Sequence, residues 1–258
     1  MHMDNHHIYG RRGASSWADG GVRRLAPTFG KTRFLTSSPK AGGQLVVESE
    51  AERLFSHLLT LDPRVRRFAA QPFTVDLIDH RILRNKAAVT EAVAKHKGRQ
   101  GPKFYTPDFS VDWHALARSA CETKLEGFEG DSDYQSKLDR ARPILEASGY
   151  RFLRVVIPAD PRWPLRSNIG LLTKAASRRD LLPPDGLIAA VEAAVGDGTV
   201  PLGALCRDLA FSPSLIPALL VSGVLQGDVV RQRLNTVMAL SLAHGDLSHL
   251  EVVDQVLR

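Results

Sequence analysis

Apolar positions recur along this chain with two different periods, and the change from one to the other marks its elements. Leu54, Phe55, Leu58, Leu59 and Leu61 fall on one side of a 3.6-residue repeat, Ser49 stands before them and Pro63 after, so LVVESEAERLFSHLLTLDP predicts one amphipathic helix. VRRFAAQPFTVDLID reads as a strand leading to a hairpin, and a lysine-rich insert over 81–103 interrupts the return before KFYTPDFSVDWH resumes extended structure. In ARSACETKLEG the period is two, which puts Ala120, Glu122 and Lys124 on one face and Cys121 and Thr123 on the other. An acidic loop, Glu129 to Asp133, then offers caps for a helix from about Tyr134 to Ser148 that contains Pro143 and stops at Gly149. The β-branched YRFLRVVIP is expected to return beside the CETKLEG strand through a right-handed crossover. The sum is an α/β core, a mixed sheet flanked by helices.

The two ends of the chain read differently. Up to Gln44 the sequence is rich in Gly, Ser, Arg and Pro with no hydrophobic period, so residues 1–47 are expected to form a basic flexible arm, with order beginning near Leu45. LLPPDG marks a linker, after which GLIAAVEAAVGDG, VPLGALCRDLAF and SPSLIPALLVSGVL predict three helices, and VRQRLNTVMALSLAHG a helical or wing-like turn. This resembles a winged helix-turn-helix. The expected division is an arm over 1–47, the α/β domain over 48–180 and a mostly helical, winged-helix-like domain over 185–258.

Composition narrows the function classes. With 258 residues, 43% of them hydrophobic and 24% charged, the chain has room for one sizeable core and a smaller second domain. No run of eighteen apolar residues occurs and MHMDNHHIYGRRG lacks the apolar segment of a secretory signal, so a cytoplasmic protein without membrane insertion is expected. Cys121 and Cys206 fit neither a disulfide framework nor a zinc-ligand spacing, and His2, His6 and His7 read as a histidine-rich terminus. The net charge of +6 is uneven. It concentrates in the arm, at Arg11, Arg12, Arg23, Arg24, Lys31, Arg33 and Lys40, and in the insert, at Arg81, Arg84, Lys86, Lys95, Lys97, Arg99 and Lys103. Basic segments flanking a cluster of carboxylates suit a phosphate backbone better than an acidic metabolite, although solvated loops have the same composition.

The candidate chemistry rests on four side chains. Glu122 and Lys124 point the same way from one strand with α-carbons about 6–7 Å apart, near enough for a carboxylate to hold a metal while an ammonium reaches a water or a phosphate. A Glu/Lys pair on a strand is commonplace, and Asp108, just inside the neighbouring strand in YTPDF, is what gives it meaning. Ser49 and Glu52 form an S-x-x-E capping box, so on local sequence capping and catalysis are equally supported for Glu52. Gln135 and Lys137 either touch DNA or are ordinary exposed residues of a helix's first turns.

The order of these landmarks resembles a known family. The ESEAERLF helix, LDPRVRRFAAQP, YTPDF, ETK and the helix leading to FLRVVIP, together spanning Glu48 to Pro158, are similar to the nuclease domain of TnsA-like endonuclease subunits of heteromeric transposases, whose fold is that of restriction endonucleases. YTPDF with ExK marks only the wider superfamily; the E-x-x-x-F, D-P-x-V and Q-P combination is more restrictive. The resemblance implies that Asp108 and Glu122, with the backbone of Thr123 and with Glu52, hold Mg2+, for which Mn2+ substitutes, and that Lys124 is the catalytic lysine. Some members carry glutamine at the position of Glu122. It further implies hydrolysis at the 5′ ends of a transposon in double-stranded DNA, beside a DDE-type transposase that works on the 3′ ends, and docking to an AAA+ ATPase regulator through the C-terminal domain. That domain carries a net charge of −4 and a third helix without Lys or Arg, which favours protein docking over DNA reading. A stand-alone restriction or repair nickase and a non-catalytic DNA-bridging adaptor are the alternatives.

Overall fold

The computed structural model describes residues 33–258 apart from Glu129, Arg179 and Leu181; Arg11, Arg12, Arg23, Arg24, Lys31 and the three N-terminal histidines lie outside the described residues. Order begins earlier than the hydrophobic pattern suggests. β1 (Phe34–Ser38) and β2 (Gly43–Val47) form an antiparallel hairpin that turns through Gly42 and Gly43, both at positive φ. The inward positions of β1 include the polar Thr36 and Ser38, so the alternation that identifies a strand is invisible on a hydrophobicity scale. α1 (Glu50–Leu61) follows, with the Ser49 hydroxyl capping the Glu52 N–H and Leu54, Phe55, Leu58, Leu59 and Leu61 buried as the stripe predicts.

β3 (Val65–Ala70) leads to a short hairpin, β4 (Thr74–Asp76) and β5 (Arg81–Leu83), and then to α2 (Lys86–Lys95). The insert is therefore partly helical. Asn85 caps α2, but only Ala92 of its ten residues is fully buried, so no apolar stripe announces it. β6 (Phe104–Tyr105) joins β4, while β7 (Phe109–Trp113) and β8 (Ser119–Leu125) form the next antiparallel pair. α3 (Ser132–Ala147), capped by Asp131, crosses to β9 (Arg151–Ile157), which pairs parallel with β8 over its whole length. The result is a mixed four-stranded sheet in the order β3-β7-β8-β9, packed against helices on both faces, beside the small sheet β5-β4-β6. Cys121 points to the α1 side with Phe55 and Phe109, and Ala120 to the α3 side with Leu138, Ala141 and Phe152.

α4 (Pro164–Ser177), for which the sequence pattern gave no expectation, packs on α1 with one side and on α7 (Ile216–Val221) with another. Before α7 come α5 (Asp185–Val195), β10 (Val200–Pro201) and α6 (Leu202–Asp208); after it come β11 (Leu225–Gln226) and β12 (Ala239–Leu242), giving an antiparallel sheet in the order β10-β12-β11. Residues 230–245, where a helical or wing-like turn was expected, form turns and bends leading into β12, without a helix. One hydrophobic cluster runs unbroken from Val47 and α1 through α4 to Leu219, Leu240 and Val256. The chain's end returns to the first half: the Val253 N–H donates to the buried Asp62 carboxylate at 3.1 Å, Arg64 pairs with both Asp62 and Asp254, and Leu257 forms a bridge with Val155 of β9. Among the described residues no single helix is long and apolar enough to cross a membrane.

A candidate active site between alpha 1, beta 8 and alpha 3

Glu52, Asp108, Glu122 and Lys124, placed by sequence on three separate segments, line one cleft of about 540 Å³ together with Glu48, Tyr105, Tyr134 and Lys137. Each arrives by a local cause. α1 delivers Glu52 because its capping box fixes the helix start: Glu52 accepts the Ser49 hydroxyl at 2.8 Å and the Glu48 N–H at 3.0 Å. The bond back to the chain thus goes to the residue before the cap and not to the cap nitrogen itself. Glu52 caps the helix and lines the cleft at once.

β7 and β8 deliver the other three. Phe109 opposes Cys121, and just beyond that pair Asp108 accepts the Thr123 N–H at 2.7 Å. The N–H and C=O of a strand residue leave by the same edge, so the Thr123 carbonyl is turned to the side of Asp108. Glu122, 4% exposed, has both oxygens engaged: Oε2 accepts the Tyr105 hydroxyl at 2.7 Å and Oε1 pairs with Lys124 Nζ at 2.9 Å. From α3, the Tyr134 ring lies 4.7 Å from Lys124 Nζ and 4.4 Å from Lys137 Nζ. Tyr105 was quoted from the sequence only as part of a motif; its partner lies seventeen residues away, and nothing local reveals that the phenol turns towards Glu122.

Crowding sets the electrostatics. Burial, then the charges of Glu122 and Glu52, hold the Asp108 carboxyl well above the usual range against the opposing pull of Lys124. Burial raises Glu52 as well, and its hydrogen bonds from Glu48 and Ser49 offset this only in part. Burial alone would lower Lys124, but Glu122, Asp108 and Glu52 together raise it, so the ammonium is protonated at neutral pH. The Cys121 thiol, behind the site, is pushed up by burial and by Asp108 and Glu122, which removes it as a nucleophile. Four carboxylates, Glu48, Glu52, Asp108 and Glu122, and two lysines, Lys124 and Lys137, line the cleft. Carboxylate oxygens of this kind are hard donors that could hold a small divalent cation.

A tighter acidic group lies elsewhere. Asp76, Asp79 and His96 are the one set of three among the described residues whose ligand atoms come within 4.8 Å of each other; the carboxylates of the cleft stand wider. Its oxygens are already committed. Asp76 accepts the N–H groups of Ile78 and Asp79 and faces His96 Nε2 at 2.9 Å, Lys95 pairs with Asp79, and Arg81 reaches both acids. The group ties α2 to the β4–β5 hairpin. Among the basic residues of the insert, Lys95 is thereby engaged with Asp79, and Arg84 donates to the Tyr150 hydroxyl and stacks over Phe73 and Tyr150. Lys86, Lys97 and Arg99 are exposed and Lys103 is half-buried; Arg33 is exposed at the start of β1. No protein-family model matches the chain, and no curated protein matches it either.

Proposed function

We propose that this chain is a metal-dependent DNA endonuclease, the TnsA-like nuclease subunit of a heteromeric transposase, built from a restriction-endonuclease-like core and a winged-helix-like C-terminal module. The observation that carries this reading is the convergence of Glu52, Asp108, Glu122 and Lys124 on one cleft, with Asp108 locked to the strand of Glu122 through the Thr123 N–H. A divalent cation held by Asp108 and Glu122 would supply Lewis acidity towards a phosphodiester. Lys124 Nζ, kept charged by its carboxylate neighbours, acts in this scheme as a hydrogen-bond donor that orients the water or the phosphate; its raised pKa argues against a role as base. The first two turns of α1 and α3 contribute Glu52, Tyr134 and Lys137 to the lining of the cleft.

The C-terminal module favours a subunit over a self-sufficient nickase. Ile216, Pro217, Ala218, Leu219 and Leu220 of α7 are buried, and α7 packs on α4, so the helix that would enter a DNA groove in a winged-helix reader is spent on internal packing. Recognition of transposon ends would then come from a DDE-type transposase and an AAA+ ATPase docked on the module's remaining surface. The test is a nicking assay on a transposon-end duplex with Mg2+ or Mn2+, with and without a DDE-type transposase partner. Cleavage that needs the cation and falls at least roughly a hundred-fold in Asp108→Asn is expected; excision unchanged in that variant, with its partners present, would mean an adaptor instead.

A further inference from the structure

The YTPDF segment supplies more than Asp108. Tyr105 lies on β6, which belongs to the small sheet β5-β4-β6 and not to the sheet that carries Glu122, and its hydroxyl joins the small sheet to Glu122 in the cleft. The phenol is 3% exposed and is fixed from behind by an edge-on contact with Phe152 at 6.4 Å between ring centroids. Three residues later Asp108 accepts the Thr123 N–H, so one short segment holds two successive residues of β8 through two independent hydrogen bonds.

This arrangement divides the two Glu122 oxygens. Oε2 is held by a buried neutral donor with no other place to go, while Oε1 is held by Lys124, a partly exposed ammonium that also rests on the Tyr134 ring. On the reading of the cleft given above, we infer that Tyr105 is a positioning residue: it reserves Glu122 Oε2, so that Oε1, now paired with Lys124, is the oxygen that would hold a divalent cation, and Lys124 would then be left for the substrate. Burial and the neighbouring carboxylates keep the phenol protonated, as the donor role requires. Hydrogen-bond partners of metal-holding carboxylates commonly contribute about 10–100-fold to metal affinity or activity.

Tyr105→Phe removes the hydroxyl and keeps the ring. Mn2+ binding to the full chain, without DNA, read by electron paramagnetic resonance, should weaken about ten-fold, with kcat for cleavage reduced and KM for DNA unchanged. The Tm without metal should move by no more than a few degrees. Wild-type Mn2+ affinity in this variant overturns the inference and leaves the nuclease reading standing; failure of the unmutated protein to bind Mn2+ overturns both. In case the variant does not fold, unmutated protein carrying [13Cζ]tyrosine gives a second measurement, with resonances assigned through Tyr9→Phe, Tyr134→Phe and Tyr150→Phe, the four tyrosines of the chain being these and Tyr105. Mg2+ should shift the Tyr105 signal and leave Tyr150 in place, and a Tyr105 signal indifferent to Mg2+ sinks the proposal.

Discussion

Under the proposed function, Asp108 is a side chain that costs the fold stability and is required by the chemistry. Its carboxyl ionises at a higher pH in the folded protein than in the unfolded chain, because burial and two carboxylate neighbours oppose the charge. The folded state therefore holds more protons than the unfolded one between the two values, and stability falls as pH rises from about 4, the unfolded value, through the folded one. Glu52 acts in the same direction. Removing the charge while keeping an acceptor for the Thr123 N–H should relieve this. Asp108→Asn is expected to raise the Tm of the metal-free protein at neutral pH by roughly 2–6 °C while cleavage is lost. Mg2+ should raise the wild-type Tm at neutral pH and leave the variant nearly unmoved. Differential scanning calorimetry at pH 7.5 with and without Mg2+ decides it, and a destabilised Asp108→Asn would show that crowding in the cleft is already compensated.

At the scale of elements, the Asp76–His96 pair answers to pH with the opposite sign. Burial alone would raise Asp76, but the Asp79 N–H, His96 and the Ile78 N–H outweigh it and hold the carboxyl below its ordinary value. Its contribution is complete above an unfolded value of about 4 and drains away as pH falls through the folded one. Urea midpoints should drop between about pH 5 and pH 3, and Asp76→Asn should flatten that drop and cost about 1–3 kcal/mol at neutral pH. A variant with the wild-type acid limb would place the sensitivity elsewhere. Elements of this kind were also where the sequence was hardest to read. α1 and β8 were legible because cap, stripe and alternation agreed, and they carry Glu52, Glu122 and Lys124. The hairpin of β1 and β2 was not, because Thr36 and Ser38 face inward, nor was α2, whose buried side amounts to one alanine. α4 lacked a signal for another reason: its buried face includes Asn168 and Thr173 beside Leu165, Ile169 and Leu172, and while Thr173 bonds back to the Ile169 carbonyl within the helix, Asn168 gains its meaning only from partners distant in sequence. Tyr105 escaped in the same way. Short-range patterns locate the chemistry, but they do not show which buried polar groups hold it in place.

For the molecule as a whole, Asn168 decides whether the two halves behave as one body. It is 1% exposed, and its amide reaches across to residues 229–234: Nδ2 donates to the Val229 and Gln232 carbonyls at 2.8 and 2.7 Å, and Oδ1 accepts the Leu234 N–H at 2.9 Å. Three backbone groups of an irregular segment are thus satisfied by one side chain from α4, which itself packs on both α1 and α7. The loop that would serve as a wing is bound to the N-terminal half through α4. Truncating Asn168 leaves those groups without their partner in a closed interface, a loss of about 2–4 kcal/mol. The two halves offer separate probes, since Trp113 and Trp163 lie before residue 185 and no tryptophan follows. In the unmutated protein, tryptophan fluorescence and hydrogen exchange in α5 and α6 should report one coincident unfolding transition. In Asn168→Ala the C-terminal exchange should accelerate first, at a denaturant concentration where the tryptophans remain folded. Coincident transitions in the variant would mean that the continuous apolar core, from Phe55 through Leu172 to Leu219, couples the halves without help from the clamp.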